Sequence, residues 1–588
     1  METIQSHNNS LKKSRVFAAL SVLLTCVCLL WPSRLLAAGG PGGVGDTEGD
    51  STLRLWLRPD VGLYTDIDCA TPASIGAPIA CWGDQSGYGL DMIQTDPTLR
   101  PVYRSSRAVE FSMDVLTSTY PVQLFATPNA GLSLIVAFKS GVYTQTSVLL
   151  NHGASAALDV NRNVELGYSF GDNGDSGLHR GQGNATVAAT ERITSEQPII
   201  LSTMVLTSGV LPTTSVRLHY NGSPVVLSTL ADGWLTSGTY PTTTVSLDIG
   251  ARLNGNQAAY PNVEPDAFHQ GDISEIVVFT TTLNTAQQII IENYLSAKYA
   301  IPLSAGATKY AHSTYIRDVI GIGREADGMH TEARGAGLIL SDSGYLQDAG
   351  DYVMAGHHTP LNVWDSESLP KGVSSRWKRD WYFYKTDEGS SGGAVTLTFD
   401  FSEGGIEDEP NGIYVLLGRS RTYFGFRVVQ ASSYIVGNQV IFPHVAGLKD
   451  GWLYTLGEVS NRDYMLEDSW QPGGPAFDFE DISGTGTEIV FDPLVSDAMS
   501  GALPLYFSFN FYDVYYTHVY LSTNGFITFL PEQQPSSGTP VPIPTNDGHN
   551  GLIAGWWNNL DMRSGGKFYY ETKGMEPNRY FIVQYHEL

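Results

Sequence analysis

From residue 51 to about 303 the apolar positions recur mostly at every second residue. Leu53-Arg54-Leu55-Trp56-Leu57 and Val109-Glu110-Phe111 alternate in this way, the pattern of strands with one buried face. Leu132-Ser133-Leu134-Ile135-Val136-Ala137-Phe138 and residues 273–280 are strongly apolar runs and read as strands too. Val216-Arg217-Leu218-His219-Tyr220 enters Asn221-Gly222 and returns through Pro224-Val225-Val226-Leu227, which predicts a hairpin with a tight turn. One segment changes period. Ile290, Ile291, Tyr294 and Leu295 repeat at helical spacing, Asn284 and Gln287 have the spacing of a capping box, and Pro302 ends the pattern. A single helix after many strands predicts an all-β sandwich over 51–303, edged by a helix at 285–300.

Two further β-rich segments follow. In 304–459, residues 316–323, 335–340, 352–357, 376–384 and 395–400 read as strands. In 460–588 the strands are aromatic, as in Phe507-Ser508-Phe509-Asn510-Phe511-Tyr512 and residues 519–529. The chain stops directly after the apolar strand 581–585. The expectation is a sheet edge there, in a third domain lacking at least one strand. Ahead of the sandwich, residues 39–50 (GGPGGVGDTEGD) read as a flexible linker.

The N-terminus changes the picture of where the protein works. Lys12, Lys13 and Arg15 precede an uncharged apolar run at 16–31, Pro32 breaks it, and Leu36-Ala37-Ala38-Gly39 offers small residues for cleavage near Ala38. A 16-residue run is short for a spanning helix, so residues 1–38 read as a secretory signal peptide, with an uncleaved anchor as the alternative. No other stretch is apolar enough to span a membrane as a helix. Of four cysteines only Cys69 and Cys81 lie beyond the signal. In an exported chain this spacing predicts one local disulfide, with two buried thiols as the alternative.

Composition narrows the class. Gly (62) and Pro (30) are abundant and charged residues are only 16%, which suits short strands and turns. The formal net charge is −26. Such a surface repels polyphosphate and argues against nucleic-acid partners. It also makes calcium attraction conceivable, although no complete calcium motif is present.

Residues 53–303 resemble bacterial members of the laminin-G-like, concanavalin A-like lectin/glucanase superfamily. The resemblance rests on Leu55-Trp56-Leu57-Arg58-Pro59-Asp60, on Cys81-Trp82-Gly83-Asp84-Gln85-Ser86-Gly87, and on a closing pair, Gly271-Asp272-Ile273-Ser274-Glu275-Ile276 with Tyr294-Leu295-Ser296-Ala297-Lys298-Tyr299. It implies a two-sheet jelly roll whose relatives bind glycans or proteins, some being glycosidases. Trp82 would then pack on the core and Asp84 would order the turn after it. Residues 304–459 resemble an uncharacterised domain of bacterial surface proteins, with Gly321-Ile322-Gly323 and Gly356-His357 as its motifs. Residues 460–588 resemble a nidogen-like extracellular β domain. The match runs through Val519-Tyr520-Leu521-Ser522-Thr523-Asn524-Gly525-Phe526 and Leu552-Ile553-Ala554-Gly555-Trp556, with Asn559 where an acid is usual.

Catalytic patterns are incomplete throughout. Gly321-Ile322-Gly323-Arg324-Glu325-Ala326 has the dinucleotide spacing, but Asp327-Gly328 breaks the helix that the fold requires. Gly167-Tyr168-Ser169-Phe170-Gly171 lies on a strand with no helix after it, unlike a nucleophile elbow. Asp159-Val160-Asn161-Arg162-Asn163 starts like a calcium loop, but Val164 replaces the glycine and Phe170 the last acid. Glu264-Pro265-Asp266-Ala267-Phe268-His269 lacks the third acid of a laminarinase-like strand. His357-His358 lacks the spacing of a zinc pair. The expectation is a secreted or cell-surface protein without catalytic, metal or cofactor residues, acting in adhesion or in binding an extracellular glycan or surface protein. Its alternatives are a glycan-recognition component of a polysaccharide-degrading system and a glycosidase.

Overall fold

The computed structural model describes residues 39–587 except 125–130, 142–146, 153–161, 169–174, 182–185, 194–195, 207–215, 230–245, 254–264, 390–391, 424, 432, 460–475, 493–496, 512–513, 531–550, 561–564 and 577. The signal-peptide reading and the calcium-like residues 159–161 lie outside it, as do Ser169–Gly171 and Glu264. The architecture is all-β, as the alternation predicts. The chain forms two compact units. One holds residues to 456 apart from 369–375 and 411–415, and the other holds those two segments with 457–588.

The first sandwich in the larger unit has two antiparallel sheets. Among the described residues one runs in the order Ser223–Pro224, Val216–Tyr220, Pro198–Val205, Leu132–Ser140, Gln270–Phe279, Ala108–Ser112, Val102–Ser105, with Leu53–Leu57 also on Gln270–Phe279. The other is ten-stranded, from Leu227–Thr229 through Arg162–Tyr168, Ser147–His152, Leu247–Ile249 and Leu116–Ser118 to Leu63–Tyr64. Between them lies a core of Leu57, Trp82, Phe111, Leu134, Val136, Phe138, Leu150, Tyr168, Leu201, Ile249 and Val278. The hairpin turn forms as predicted, with Asn221 and Gly222 both at positive φ. Its return strand is only Ser223–Pro224, and Leu227–Thr229 crosses to the second sheet. Cys69 and Cys81 are joined, with Cα atoms 5.5 Å apart.

The helix Thr285–Tyr299 starts with the predicted reciprocal cap between Asn284 and Gln287. Its setting differs from the expected sandwich edge. Ile135, Ala137, Ile200, Met204 and Val277, on the outer face of the eight-stranded sheet, pack against Ile290, Ile291, Tyr294 and Leu295. The same cluster continues into Val319, Tyr352, Met354, Tyr382 and Leu453 of the next sandwich. The helix is therefore an inner layer between two sheets. This is why Leu132–Ser140 is buried at every position but one: both of its faces are covered. It is also why residues 51–303 and most of 304–459 form one compact unit and not two.

The glycine-rich stretch 39–50 departs from the flexible linker it resembles. Residues 40–44 are buried, a 3-10 turn spans Pro41–Gly43, and Gly39 bridges Asp46. The glycines are what allow the contact. At Gly42 (φ +70°) a Cβ would sit 2.9 Å from Ile290 Cγ2, and at Gly43 (φ +82°) 2.6 Å from Ala333 Cβ.

The second sandwich pairs Arg317–Glu325, Tyr352–His357, Trp381–Thr386 and Trp452–Val459 in one sheet. Leu338–Asp342, Ala394–Asp400 and Gln439–Ala446 belong to the other. Gly321-Ile322-Gly323 lies inside a strand, where Met354 and Tyr352 would meet a Cβ at 2.8 and 2.2 Å. Those glycines admit neighbouring side chains and form no phosphate loop. In the smaller unit, Leu503–Phe511, Val514–Ser522, Phe526–Thr528 and Leu552–Ala554 form one sheet, and Thr487–Ile489, Lys567–Lys573 and Tyr580–His586 another. Leu505, Phe511, Leu521, Phe529 and Phe568 fill its core. Among the described residues Tyr580–His586 is an edge strand.

Candidate functional site: the outer face of the ten-stranded sheet

Period two sends Leu116, Leu247, Ile249, Leu150 and Leu166 inward, and the residues between them face the opposite way. The register then lines up Ile93, Thr117, Asp248, Asn151 and Glu165 across five adjacent strands. Asp248 is fully buried. Its Oδ1 accepts from Thr117 Oγ1 and its Oδ2 from Asn151 Nδ2, both at 3.0 Å. Burial raises its pKa to about 7, although both hydrogen bonds pull the other way. Glu165, also buried, meets Arg252 at 3.6 Å.

Beside this row is a cavity of about 340 Å³ lined by Ile93, Thr95, Thr117, Thr119, Tyr120 and Ser246, among others. Among the described residues none that lines it is charged. Tyr120 stands at it 39% exposed, and Tyr88, 37% exposed, lies 6.5 Å away, centroid to centroid. The Tyr120 hydroxyl donates to the Tyr88 carbonyl, and the Arg54 guanidinium covers the Tyr88 ring at 3.7 Å. Hydroxyls, a half-exposed aromatic pair and an apolar side wall thus meet at one opening, the mix that small-ligand sites use.

Asp248 and Glu165 flank Asn151 on one face, two strands apart, roughly 9.6 Å at ordinary strand spacing. That separation falls near the range for paired glycosidase acids. Both carboxylates are nevertheless sealed from solvent and held by protein partners, so neither is presented to a substrate.

The residues singled out in the sequence are placed elsewhere. Trp82 is fully buried in the core. Asp84 accepts from the Trp56 and Ser86 amides through Oδ1, and from Ser86 Oγ and the Leu90 amide through Oδ2. Pro265–Asp266 forms a short strand with Arg252–Leu253. His357 is 1% exposed, with Nε2 2.8 Å from Asp318 Oδ2. Among the described residues no group of three His, Cys, Asp or Glu is placed to hold a metal ion, and no helix is long and apolar enough to cross a membrane. The bracketing motifs of the first sandwich do converge. Glu275, fully buried, accepts from Trp56 Nε1 (2.6 Å), Lys298 Nζ (2.7 Å) and the Tyr299 hydroxyl (2.5 Å), and Lys298 also reaches Asp60 at 3.1 Å.

Residues 476–588 match a family model described as NIDO related, in agreement with the nidogen-like reading of that segment. No curated protein matches the chain. Among solved structures the chain is similar to the heptameric SAP-like pentraxin of Limulus polyphemus, at 15% identity over 32% of this chain and 79% of that one, TM-score 0.24. Trypanosoma rangeli sialidase aligns at 13% identity over 46% of this chain and 37% of its own length, TM-score 0.27. The CBM40 of Ruminococcus gnavus IT-sialidase, bound to α2,3-sialyllactose, aligns at 12% identity over 31% and 94%, TM-score 0.23. At such scores neither the activities nor the ligands of those proteins carry over.

Proposed function

We propose that the protein is an exported, non-enzymatic surface protein that binds saccharide, in adhesion or matrix attachment, and that its first sandwich takes a neutral sugar at the opening beside Tyr120. The observation that supports this most is the cavity whose described lining residues are uncharged and rich in hydroxyls, with Tyr120 at it and Tyr88 beside Tyr120. Ring faces of a sugar suit half-exposed aromatics, and sugar hydroxyls suit threonine and serine partners. Export is supported by the leader-like residues 1–38 and by the Cys69–Cys81 bond, which suits an oxidising compartment. A neutral-glycan array probed with the full chain tests the reading. Binding is expected for at least one glycan, weakened about tenfold in Tyr120→Ala, roughly the 1.4 kcal/mol of one good contact. An array without a hit, or hits indifferent to Tyr120→Ala, overturns it. The glycosidase alternative predicts release of reducing ends, abolished in Asp248→Asn; the sealed Asp248 argues against it.

A further inference from the structure

In the second sandwich, four segments remote in sequence bring polar side chains to one place. His312 precedes the strand Arg317–Glu325, and its Nδ1 accepts from the backbone amides of Thr314 (3.0 Å) and Tyr315 (3.1 Å). Two N–H groups directed at Nδ1 leave the ring proton on Nε2, so His312 offers an N–H donor from a fixed tautomer. Burial, the nearby Arg421 charge and His358 all lower the pKa of this imidazole. Its ring lies 4.4 Å from that of Tyr382 and 4.9 Å from that of Tyr315. The His358 ring sits 4.8 Å from Tyr315.

Behind these rings is Asp380, 3% exposed. Its Oδ2 accepts from Arg419 at 2.9 Å, and its Oδ1 is 3.7 Å from His358 Nδ1. One buried carboxylate thereby positions a guanidinium and has an imidazole beside it. Arg421, in the exposed turn after Ile413–Ser420, bears on His312, Tyr315 and Tyr382. Among the described residues no carboxylate lies within ion-pair distance of it. Two guanidiniums, two imidazoles and the Tyr315 ring thus meet in one cluster, with Asp380 beside Arg419 and His358 and Asp450 near Tyr382, in a chain of net charge −26.

We infer that this cluster is a second binding site, which receives the anionic substituent of an acidic saccharide, a carboxylate or a sulfate. Arg421 and His312 Nε2–H donate to the anion, the half-buried Tyr315 ring backs the sugar, and Asp380 keeps Arg419 in place. With the Arg419 guanidinium already matched by Asp380, Arg421 is left to meet one anion per sugar ring and not a polyphosphate. The site stands independently of the Tyr120 opening.

Calorimetry on the full chain at low salt tests the inference, using trigalacturonate for the carboxylate, a sulfated chondroitin disaccharide for the sulfate, and cellotriose as neutral control. Binding of either acidic probe, weakened about tenfold or more in Arg421→Ala and in His312→Ala, is expected, since hydrogen bonds to charged groups contribute more than neutral ones. The acidic probe that binds identifies the source of the anion. Arg421 is exposed, so its replacement leaves the core intact, and an unchanged melting point will confirm that. Failure of both acidic probes, or affinity unchanged in the Arg421→Ala, His312→Ala double variant, overturns the site. Neutral-glycan binding is read separately through Tyr120→Ala, so a failure at one site is not mistaken for a failure at the other.

Discussion

At the scale of single residues, the decisive group is Asp248. Its folded pKa of about 7 lies above the ordinary value near 4 that holds in the unfolded chain. The folded state therefore keeps a proton that the unfolded state releases between those two values. This contribution to stability is fully present below about pH 4 and is lost as pH rises through 7. An amide carries no such proton. Asp248→Asn is expected to leave the melting point of the larger unit nearly unchanged at pH 4 and to raise it by several degrees at pH 8. The shift corresponds to something on the order of 4 kcal/mol, and thermal scans at the two pH values measure it. A variant that melts equally below wild type at both values would assign Asp248 a purely structural role as a hydrogen-bond acceptor. Nothing local marks this residue in the sequence, because Thr117 and Asn151 lie 131 and 97 positions away. Asp84 was legible for the opposite reason: Ser86 and Leu90, which it binds, are two and six residues on. The Cys69–Cys81 bond is local in the same sense.

At the scale of elements, the helix Thr285–Tyr299 shows which information is local. Its cap and its end are written in Asn284, Gln287 and Pro302. Its burial is not, because that depends on strands placed on both sides by distant pairing. Gln288, Glu292 and Asn293 are buried along with the aliphatic residues, so no clear polar stripe remains, as in a helix enclosed all round. Glu275 fastens it to the sheet by accepting from Lys298 and Tyr299. Lys298→Met removes the cationic partner of a fully buried carboxylate. Breaking a buried pair from one side costs about 3–5 kcal/mol, and urea unfolding of the larger unit is expected to show a loss of that order. A loss below about 1 kcal/mol would mean that Trp56 and Tyr299 suffice to hold Glu275. The glycines of residues 39–45 carry a related lesson. Their composition reads as a linker, yet close approach to Ile290 and Ala333 is the other use of glycine. Only the tertiary neighbours distinguish the two.

At the scale of the whole molecule, the shared apolar layer limits how the chain can be divided. The alternation in 51–303 and the change of motif near 304 both suggest a boundary at that point. Across it, however, Ile290, Ile291 and Leu295 belong to the same buried cluster as Val319, Tyr352 and Met354. Cutting at residue 303 exposes the side of the helix that meets the second sandwich, a contiguous apolar surface of the kind that drives association. It also removes Ala333, against which Gly43 is pressed. A fragment of residues 39–303 is therefore expected to aggregate or to melt well below a fragment of residues 39–459, in which the layer is closed on both sides. Size-exclusion chromatography and circular dichroism on the two fragments make the comparison. If 39–303 is monomeric and melts within a few degrees of 39–459, the helix needs only the first sandwich, and its second face is a tolerated contact and not a condition of folding. The expected outcome also sets how binding must be studied, because the Tyr120 opening and the His312 cluster then belong to one folding unit and neither can be isolated by cutting at 303.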